Sequence, residues 1–476
     1  MRNTILTPEL KNKHQVFTPE KVVNRMIKIA IKNNVNFYNC SILENSCGNG
    51  NVLVKIVEEL IKEAISNSIE YEQIKMFLQN NIHAYEIDKK LILECINRLN
   101  SLCNKYGIFD VNWDIKNKDF LMEKINNKYD IIIGNPPYIS YLDLPEDKRT
   151  YLKNNYKSCS KGKFDYSYAF IEKSYNSLNQ NGSLIYLVPS NWFKNVFANK
   201  LRQLVIHDLT EIIDLQKQKI FKDVLVSTAI IHITRESNSD EFKYSCPAKK
   251  IRKKIKKSII NDKWTFCKTK KQDKLFKDEF DVFVTIATLN NKIFVLSKGC
   301  IKDKYYYFDK YKIELDILKS TYSPKDKKYN CNTKKIIFPY AFKNGVLIHY
   351  NEEELRKKFP YAYKYLLENK DKLLERDSDK NAQWFEYGRS QAIMNMNQEM
   401  CIISSIISDE TEAYIIGNNE IPYSGICIVP KNNNSVFDVL KIINTENFRK
   451  YAQTIGVCIN GNSKRISPND IKNYTY

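Results

Sequence analysis

Ile131-Ile132-Ile133-Gly134-Asn135-Pro136-Pro137-Tyr138 is the stretch that decides the fold class, because an apolar strand runs directly into a turn. Three β-branched residues in succession are typical of a strand that is buried on both faces, as in a parallel sheet. Gly134 and the two prolines end this strand abruptly. Ligands of open α/β sheets bind just beyond the carboxyl ends of the strands, so the turn is predicted to face a binding site.

The residue types of this turn also suit one kind of chemistry. Asn135 offers a side-chain carbonyl acceptor, and Pro136 offers a backbone carbonyl without an N–H of its own. Tyr138 supplies a flat ring. Two acceptors beside a stacking face match what is needed to hold an exocyclic amine on an aromatic base.

Composition limits the class of protein. A chain of 476 residues is expected to form two domains. Its formal charge of +20 and pI of about 9.2 favour a polyanionic partner, most often nucleic acid, only slightly over a merely solubilising surface or an AT-rich coding bias. No apolar run of about 18 residues is present and Met1–Leu10 lacks an apolar core, so we expect a cytoplasmic protein without a membrane span.

Cysteine and histidine usage indicates neither disulfides nor a metal. The twelve cysteines include no C-x-x-C pair, and the five histidines lack metal-ligand spacing. Reduced thiols are the better interpretation for a chain of this size. Cys47 lies in a candidate loop with no evident base beside it, so a small residue packed in a tight turn is the simpler explanation.

The first half alternates strand-like and helix-like segments, which predicts βαβ units, a mainly parallel sheet and an α/β fold. A helix is predicted to begin with Thr18 as its N-cap and Pro19 at its first position. The predicted strands are Ser41–Glu44, Ile82–Ile87, Ile131–Ile133, Ser183–Val188, Ile212–Leu215 and Thr228–Ile233, with a further one before Asp119.

The pattern changes from about Ser237. Lys249–Lys257 is almost wholly basic and is interpreted as part of a domain linker. We therefore predict a first domain over 1–240, a basic linker over 241–262 and a second, separate domain over 263–476. The second domain is rich in Lys, Tyr and Asn, and its fold does not follow from periodicity.

Three weak signals gain weight from their order. Gly48-Asn49-Gly50 follows a strand and could cradle a nucleotide-like ligand, although an ordinary tight turn explains it as well. Glu86 lies at the end of the next strand, where an acid can accept both ribose hydroxyls, although solvated acids are common there. Asp119-Phe120 follows, and then comes the Asn135 turn. Successive strand ends of this kind predict one continuous nucleoside-shaped crevice.

With these motifs in this order, the chain resembles the γ-class, TaqI-type adenine-specific DNA methyltransferases over essentially Val16–Ile233. Phe17-Thr18-Pro19 is similar to the segment that precedes the glycine loop in this class, and Asn45 stands where the family more often has proline. The resemblance implies S-adenosylmethionine as methyl donor, and no metal. The cofactor contacts that it implies are Thr18, Glu44, Cys47, Gly48, Gly50, Glu86, Ile87, Asp119, Phe120 and Asn135.

Further segments resemble the same class. In the first half they are Lys161–Asp165, Ala169–Lys173 and Gly182–Trp192. More loosely, Phe359–Asp377, Trp384–Arg389 and Ile455–Tyr476 resemble parts of target-recognition domains. The resemblance therefore implies a seven-stranded Rossmann-like cofactor domain, a mixed α+β target-recognition domain and double-stranded DNA as partner.

The resemblance also implies roles in catalysis. Asn135 and Pro136 would accept the hydrogens of the adenine amine, and Tyr138 would stack on a base that has been flipped out of the duplex. A second aromatic residue closes the other face in this family. Phe197 is assigned here, with Trp192 and Phe193 as rivals, and packing in a helix core is an equal explanation for Phe197.

Other functions remain open at this point. An RNA adenine methyltransferase shares the phosphate contacts, a protein glutamine methyltransferase shares the Asn-Pro-Pro-Tyr motif, and a non-catalytic DNA-binding protein could use the same fold. The sequence shows no convincing nuclease pattern, so any cognate restriction endonuclease is expected to act separately. A monomer is the mild preference.

Overall fold

The structure is a computed structural model. It describes residues 18–33, 36–216, 227–260, 262–266, 274–330, 334–409, 411–459 and 463–476. Phe17 of the predicted cofactor segment lies outside these ranges. The chain divides into two compact units, Met1–Phe266 and Cys267–Tyr476. None of the helices in the described ranges is long and apolar enough to cross a membrane.

The first unit is built on one nine-stranded sheet. Its strands are β1 (Ile42–Glu44), β2 (Ile82–Tyr85), β3 (Asp114–Lys116), β4 (Tyr129–Gly134), β5 (Leu178–Pro189), β6 (Leu209–Gln216), β7 (Thr228–Thr234), β8 (Glu241–Cys246) and β9 (Ile251–Lys256). Their spatial order is β3-β2-β1-β4-β5-β7-β6-β8-β9. The first five are parallel, β7 is antiparallel to both neighbours, and β8 pairs parallel with β6. The predicted α/β fold class is confirmed.

Helices cover this sheet. They are α1 (Glu20–Lys32), α2 (Asn51–Ser66), α3 (Tyr71–Asn81), α4 (Lys89–Lys105), α5 (Glu146–Asn155), α6 (Ser167–Asn176) and α7 (Asn199–Val205). The side chains of β4 alternate between two cores. Ile132 packs into one cluster, while Ile131 and Ile133 pack into the other. Burial on both faces explains why this strand reads as an uninterrupted apolar run.

Three expectations need correction. The first helix begins at Glu20 with Pro19 as its N-cap residue, one residue later than predicted, and no side chain caps it. The sheet has nine strands rather than seven. The segment 241–262 is not a linker, because β8 and β9 form an antiparallel pair that extends the sheet. Trp264 is also buried in the core of the first unit.

The second unit is a mixed α+β assembly of small sheets. Its strands are β10 (Phe280–Val284), β11 (Val295–Leu296), β12 (Cys300–Lys302), β13 (Tyr305–Phe308), β14 (Tyr311–Glu314), β15 (Leu318–Tyr322), β16 (Lys335–Ile337), β17 (Tyr340–Lys343), β18 (Val346–His349), β19 (Met400–Ile403), β20 (Ile406–Ile407), β21 (Ala413–Ile416), β22 (Glu420–Pro422), β23 (Ile426–Pro430), β24 (Val457–Cys458) and β25 (Lys464–Arg465). Two four-stranded sheets, β10-β23-β19-β21 and β11-β16-β15-β22, contribute to its two hydrophobic cores.

The helices of the second unit are α8 (Phe276–Glu279), α9 (Asn291–Phe294), α10 (Pro324–Lys328), α11 (Glu352–Lys358), α12 (Pro360–Glu368), α13 (Lys370–Leu374), α14 (Val436–Ile443), α15 (Glu446–Ile455) and α16 (Pro468–Lys472). Several begin with a capping box, in which Ser or Asn bonds the third backbone N–H of the helix and an acid bonds back. These local caps are sequence signals for helix starts in a unit whose strand pattern is irregular.

Candidate functional site

A pocket opens in the first unit where β1, β2, β3 and β4 end. It is lined by residues at these four strand ends and by residues of neighbouring turns and helices: Thr18, Glu44, Asn45, Ser46, Cys47, Gly48, Asn49, Asn51, Val52, Glu86, Ile87, Leu91, Lys118, Asp119, Phe120, Asn135, Pro136, Pro137, Tyr138, Ile139, Tyr166 and Phe170. Parallel strands bring their carboxyl ends to one edge of the sheet, which is why segments so distant in sequence meet here. Of the predicted site residues, only Gly50 and Phe197 do not line this pocket.

The loop after β1 is held by the carboxylate of Glu86. One oxygen of Glu86 accepts the Gly48 backbone N–H at 2.9 Å, and the other accepts those of Ile87 and Asp88 at 2.8 and 2.9 Å. Gly48 has a positive φ of 53°, which suits glycine. Burial raises the pKa of the Glu86 carboxyl above its ordinary value, while these three backbone bonds oppose the rise. Glu86 therefore shapes the loop as well as facing the pocket.

Gly50 has a packing role at the start of α2. Its φ is 84°, and a Cβ atom there would lie 2.6 Å from the Cys95 sulfur on α4. Arg98, one turn further along α4, donates to the Asn49 carbonyl at 2.7 Å and to the Asn51 side chain at 2.8 Å. Gly50 thus lets α2 and the loop approach α4 closely, and it does not face the pocket itself.

Asn45, the departure from the family pattern, anchors the loop by its side chain. Its amide nitrogen donates to the hydroxyls of Ser174 at 2.8 Å and of Tyr186. Ser174 and Tyr186 are also bonded to each other at 2.7 Å, so the Asn45 amide nitrogen and two hydroxyls form one buried hydrogen-bonded cluster. The loop is therefore tied to α6 and β5 by side-chain hydrogen bonds at the position where the family more often has proline.

Glu44 is a buried acid that lines the pocket. It is only 2% exposed, and burial raises its pKa well above the ordinary value. One of its carboxyl oxygens has no hydrogen-bond partner among the described residues. A buried polar atom without a partner is rare in native proteins, so it marks a position where a ligand is expected to bond.

Asp119 is paired with a residue that the sequence did not single out. Its carboxylate forms an ion pair with Lys148 of α5, which is 5% exposed, and also accepts the Leu121 backbone N–H at 2.9 Å. Nothing local in the polar helix α5 distinguishes Lys148 from a solvated lysine. Only the folding of α5 over the turn after β3 brings the two charges together.

Lys173 supports the same turn from the opposite side. Its ammonium donates to the backbone carbonyls of Phe120 and Glu123 and lies 4.9 Å from the centroid of the Phe120 ring. Burial lowers its pKa to about 8, partly opposed by Asp119 and Glu123. The Asp119-Phe120 turn is thus held by the buried Lys148 and the partly buried Lys173, which come from two different helices.

The turn after β4 is fixed at both ends. The Tyr138 hydroxyl donates to the Asn135 side-chain oxygen at 2.5 Å and lies 3.0 Å from the Leu187 carbonyl oxygen. Ser46 donates to the Asn135 backbone carbonyl at 3.2 Å and so joins this turn to the loop after β1. Burial raises the pKa of the Tyr138 phenol well above its ordinary value. Tyr138 therefore keeps its proton and orients the Asn135 amide.

The three candidate aromatic residues have different surroundings. Trp192 and Phe193 are 1% and 3% exposed and pack against Trp264. Phe197 is 40% exposed and lies on Gly162, where a Cβ atom would come within 2.0 Å of its ring. Of the three, only Phe197 presents an exposed ring, and it is not packed in a helix core.

No group of three or more His, Cys, Asp or Glu side chains within the described ranges is arranged to hold a metal ion. Two acids whose pKa values are raised by burial, Glu44 and Glu86, line the pocket together with Asp119, the ion-pair partner of Lys148. Such a cluster is typical of a functional site.

Comparison with known proteins shows which family this part of the chain is similar to. Residues 38–221 match the family described as Eco57I restriction-modification methylase. Over this segment the chain is similar to restriction–modification methylases. The bounds of this segment run from just before β1 to just beyond β6, so they include every strand end that lines the pocket.

Individual relatives agree with this domain assignment. The chain is 22% identical to the type II restriction enzyme and methyltransferase RM.Eco57I of Escherichia coli, over 94% of this chain and 55% of that protein. It is 30% identical to the type II methyltransferase M.HincII of Haemophilus influenzae, over 48% of this chain and 38% of that protein. The chain therefore spans about half or less of the length of these curated relatives.

Solved structures show that the fold extends beyond the methylase domain. The type IIL restriction-modification enzyme MmeI, solved in complex with DNA, is similar with a TM-score of 0.60 and 14% identity, over 95% of this chain and 64% of that one. A nuclease-deletion mutant of the type ISP enzyme LlaGI with a DNA substrate mimic gives a TM-score of 0.55 at 14% identity, over 92% of this chain and 44% of that one. At such identities the likeness concerns fold alone.

Proposed function

We propose that this chain is a site-specific DNA methyltransferase that transfers a methyl group from S-adenosylmethionine to the exocyclic amine of an adenine. The observation that carries the proposal is the position of Asn135, Pro136 and Tyr138. They line the same pocket as Gly48, Glu86 and Asp119-Phe120, and a hydrogen bond from Ser46 joins the two parts.

The pocket residues fit the cofactor's chemistry. Glu86 retains acceptor capacity for a ribose hydroxyl on the oxygen that accepts only the Gly48 N–H, because that oxygen has a second lone pair. Asp119 and the Phe120 ring offer an acceptor and an apolar face for an adenine ring, and the Glu44 oxygen without a partner among the described residues offers a hydrogen-bonding site to a polar group of the cofactor. When bound, S-adenosylmethionine supplies an electrophilic methyl group carried on a sulfonium.

Asn135 and Pro136 activate the target amine. The adenine amine is a poor nucleophile because its lone pair is delocalised into the ring. Accepting its two hydrogens with the Asn135 side-chain oxygen and the Pro136 carbonyl favours a pyramidal nitrogen with a directed lone pair. The same acceptors stabilise the positive charge that develops on nitrogen, and its proton leaves to solvent once the N–C bond has formed.

Tyr138 contributes orientation as well as stacking. Its hydroxyl donates to the Asn135 amide oxygen and so fixes the orientation of the amide that is proposed to accept from the target amine. Because burial raises the phenol pKa well above its ordinary value, this donor persists through the neutral range. The ring offers a stacking face worth about 1–3 kcal/mol by analogy with single-strand binding, which offsets part of the cost of flipping the base.

Phe197 is proposed to close the other face of the flipped base. Phe197→Ala should lower kcat/KM for DNA by about 10- to 100-fold, the equivalent of the stacking energy, with unchanged cofactor affinity. Phe109→Ala is the matched control, because Phe109 is a 56% exposed ring in the same unit. Steady-state methylation of one duplex by both variants makes the comparison, and equal losses would rule out the stacking role.

Modification-sensitive long-read sequencing of plasmid DNA from a methylation-deficient host tests the function. Expression of the chain should produce methyladenine at one short sequence motif, and Asn135→Ala should abolish it while cofactor binding persists. Unmodified DNA with the intact chain would contradict the proposal. Transfer of labelled methyl groups to RNA or to protein would then identify an RNA adenine or protein glutamine methyltransferase.

The second unit is proposed to recognise the DNA target. Two solved structures of similar fold are DNA complexes, and the net charge of +20 suits a duplex. We also propose a bacterial cytoplasmic monomer. Any cognate restriction endonuclease would act as a separate protein.

A further inference from the structure

The hairpin formed by β8 and β9 has one strongly basic face. Lys243, Arg252, Lys254 and Lys256 are all exposed on it, and the turn between the strands adds Lys249 and Lys250. Lys243 pairs in register with Lys254. The hairpin therefore presents to solvent a row of three cations on β9, with Lys243 of β8 beside it.

The opposite face of the hairpin is packed. Phe242, Tyr244 and Ile255 are buried in the core of the first unit, together with Trp264. Phe266 lies 4.4 Å from the Tyr244 ring, centroid to centroid. Because this face is anchored, the basic face has a fixed geometry, and its side chains are displayed by a sheet rather than by a flexible connection.

The positive charge of this face is only partly offset, because its four strand cations face two carboxylates. Like charges directly opposite each other on antiparallel strands are destabilising, so the Lys243–Lys254 pair costs folding energy. The carboxylates on the same face are Glu211, which pairs in register with Lys243, and Glu241, which pairs with Lys256. Within the described part of the chain, none of the ion pairs joins Glu211 or Glu241 to these cations.

The hairpin turn lies at the same edge of the sheet as the pocket. β8 is parallel to β6, and β6 runs in the same direction as β4. The hairpin turn that follows Cys246 and the turn that contains Asn135 therefore both lie at the carboxyl ends of strands. Five strand-to-strand steps separate β4 from β9, or about 24 Å along the sheet at about 4.8 Å a step. That span corresponds to about seven base pairs of duplex at 3.4 Å each.

We propose that the basic face of the β8–β9 hairpin binds the phosphate backbone of the DNA duplex that flanks the target base. This inference rests on the proposed function for its choice of DNA as the polyanion. Regularly spaced cations on a rigid strand contact phosphates without reading sequence, and they position the duplex for the pocket. The contact replaces the like-charge repulsion within the hairpin by attraction to the polyanion.

The test is the salt dependence of DNA binding by the full chain. The hairpin variant is Arg252→Gln/Lys254→Gln, with Lys249→Gln/Lys250→Gln as a second variant in the turn. The control is Lys32→Gln/Lys105→Gln, which removes two exposed charges at the ends of α1 and α4. The DNA is a labelled duplex of about 30 base pairs, which exceeds the span of about seven base pairs between β4 and β9. Fluorescence anisotropy measured at several salt concentrations gives the slope of log Kobs against log salt concentration.

Each lost phosphate contact should make that slope shallower by about 0.9, so both hairpin variants should lose about 1–2 while the control keeps the wild-type slope. Equal slopes for hairpin and control variants would overturn the inference. Methyl transfer by the wild-type chain is measured in parallel. A hairpin effect without methyl transfer upholds the contact and rejects the proposed function, whereas methyl transfer with equal slopes rejects the contact alone.

Discussion

The two ends of the pocket are held together by different kinds of bond. At the Gly48 end, Glu86 binds three backbone N–H groups, all close to it in the fold of β1 and β2. At the Asp119 end, the turn depends on Lys148 and Lys173, whose charged side chains come from α5 and α6. The backbone hydrogen bonds to Glu86 form as soon as the loop takes its shape. The charge of Asp119, in contrast, is balanced only when a helix from elsewhere in the chain brings a lysine to it. The Asp119 end should therefore be the more sensitive of the two to single substitutions.

The largest effect is expected for Lys148→Met. It leaves the Asp119 carboxylate without its cation in a largely buried position, which should cost about 3 kcal/mol of folding stability. For a unit of this size the loss corresponds to a fall in Tm of about 6–12 °C, measurable by thermal unfolding. Lys153→Met in the same helix is the control, because Lys153 is exposed. The double variant Lys148→Met/Asp119→Asn should recover part of the loss in Tm. Equal, small changes in Tm for Lys148→Met and Lys153→Met would show that the Asp119 end is not the more sensitive of the two.

Glu86→Ala is expected to weaken cofactor binding at the Gly48 end of the pocket. It removes the acceptor of three backbone N–H groups and the proposed ribose contact, so the cofactor Kd should rise about 30-fold, equivalent to about 2 kcal/mol. Titration calorimetry with S-adenosylmethionine measures this change. Glu94→Ala, an exposed acid on α4, should leave the Kd unaltered. An unchanged Kd for Glu86→Ala would mean that this end does not hold the cofactor.

The smallest effect concerns the pH dependence at the Asp119 end. Burial lowers the Lys173 pKa from 10.5 to about 8, so between these values the unfolded chain binds more protons than the folded one. The free energy of unfolding should therefore rise with pH through this window. Tm is measured for wild type and Lys173→Met at about pH 7.5, 8.5 and 9.5, values chosen to cross that window. The wild-type Tm should rise relative to that of the variant by about 2–4 °C over this range. A constant difference would mean that Lys173 does not titrate there.

The order of strand ends made most of the pocket predictable. Glu44, Gly48, Glu86 and Asp119 all follow strands of a parallel sheet, and their convergence needs only that topology. Lys148 was missed because a lysine in a polar helix carries no sequence signal of burial. Phe197 could be proposed from sequence but not separated from Trp192 and Phe193, because burial distinguishes them and it depends on Trp264.

The supposed linker illustrates the same limit. Lys249–Lys257 reads as a solvated charge run, yet Ile251 and Ile255, four residues apart, would lie on one face of a strand. In the sequence this weak strand signal is hidden by the strongly basic composition, which favours a solvated linker. The strand forms because β8 offers a partner and the aromatic residues that follow cover one face, neither of which can be read within the run itself.

By itself the sequence determined the α/β fold class, the order of the strand-end motifs and the polar groups present in the Asn135 turn, because periodicity and turn residues act over a few neighbouring positions. The tertiary structure alone decided that Lys148 neutralises Asp119, that Phe197 keeps an exposed ring and that the basic run becomes an edge strand. These outcomes depend on burial and charge pairing between segments far apart in the chain. Such energies exist only once the sheet has brought those segments together.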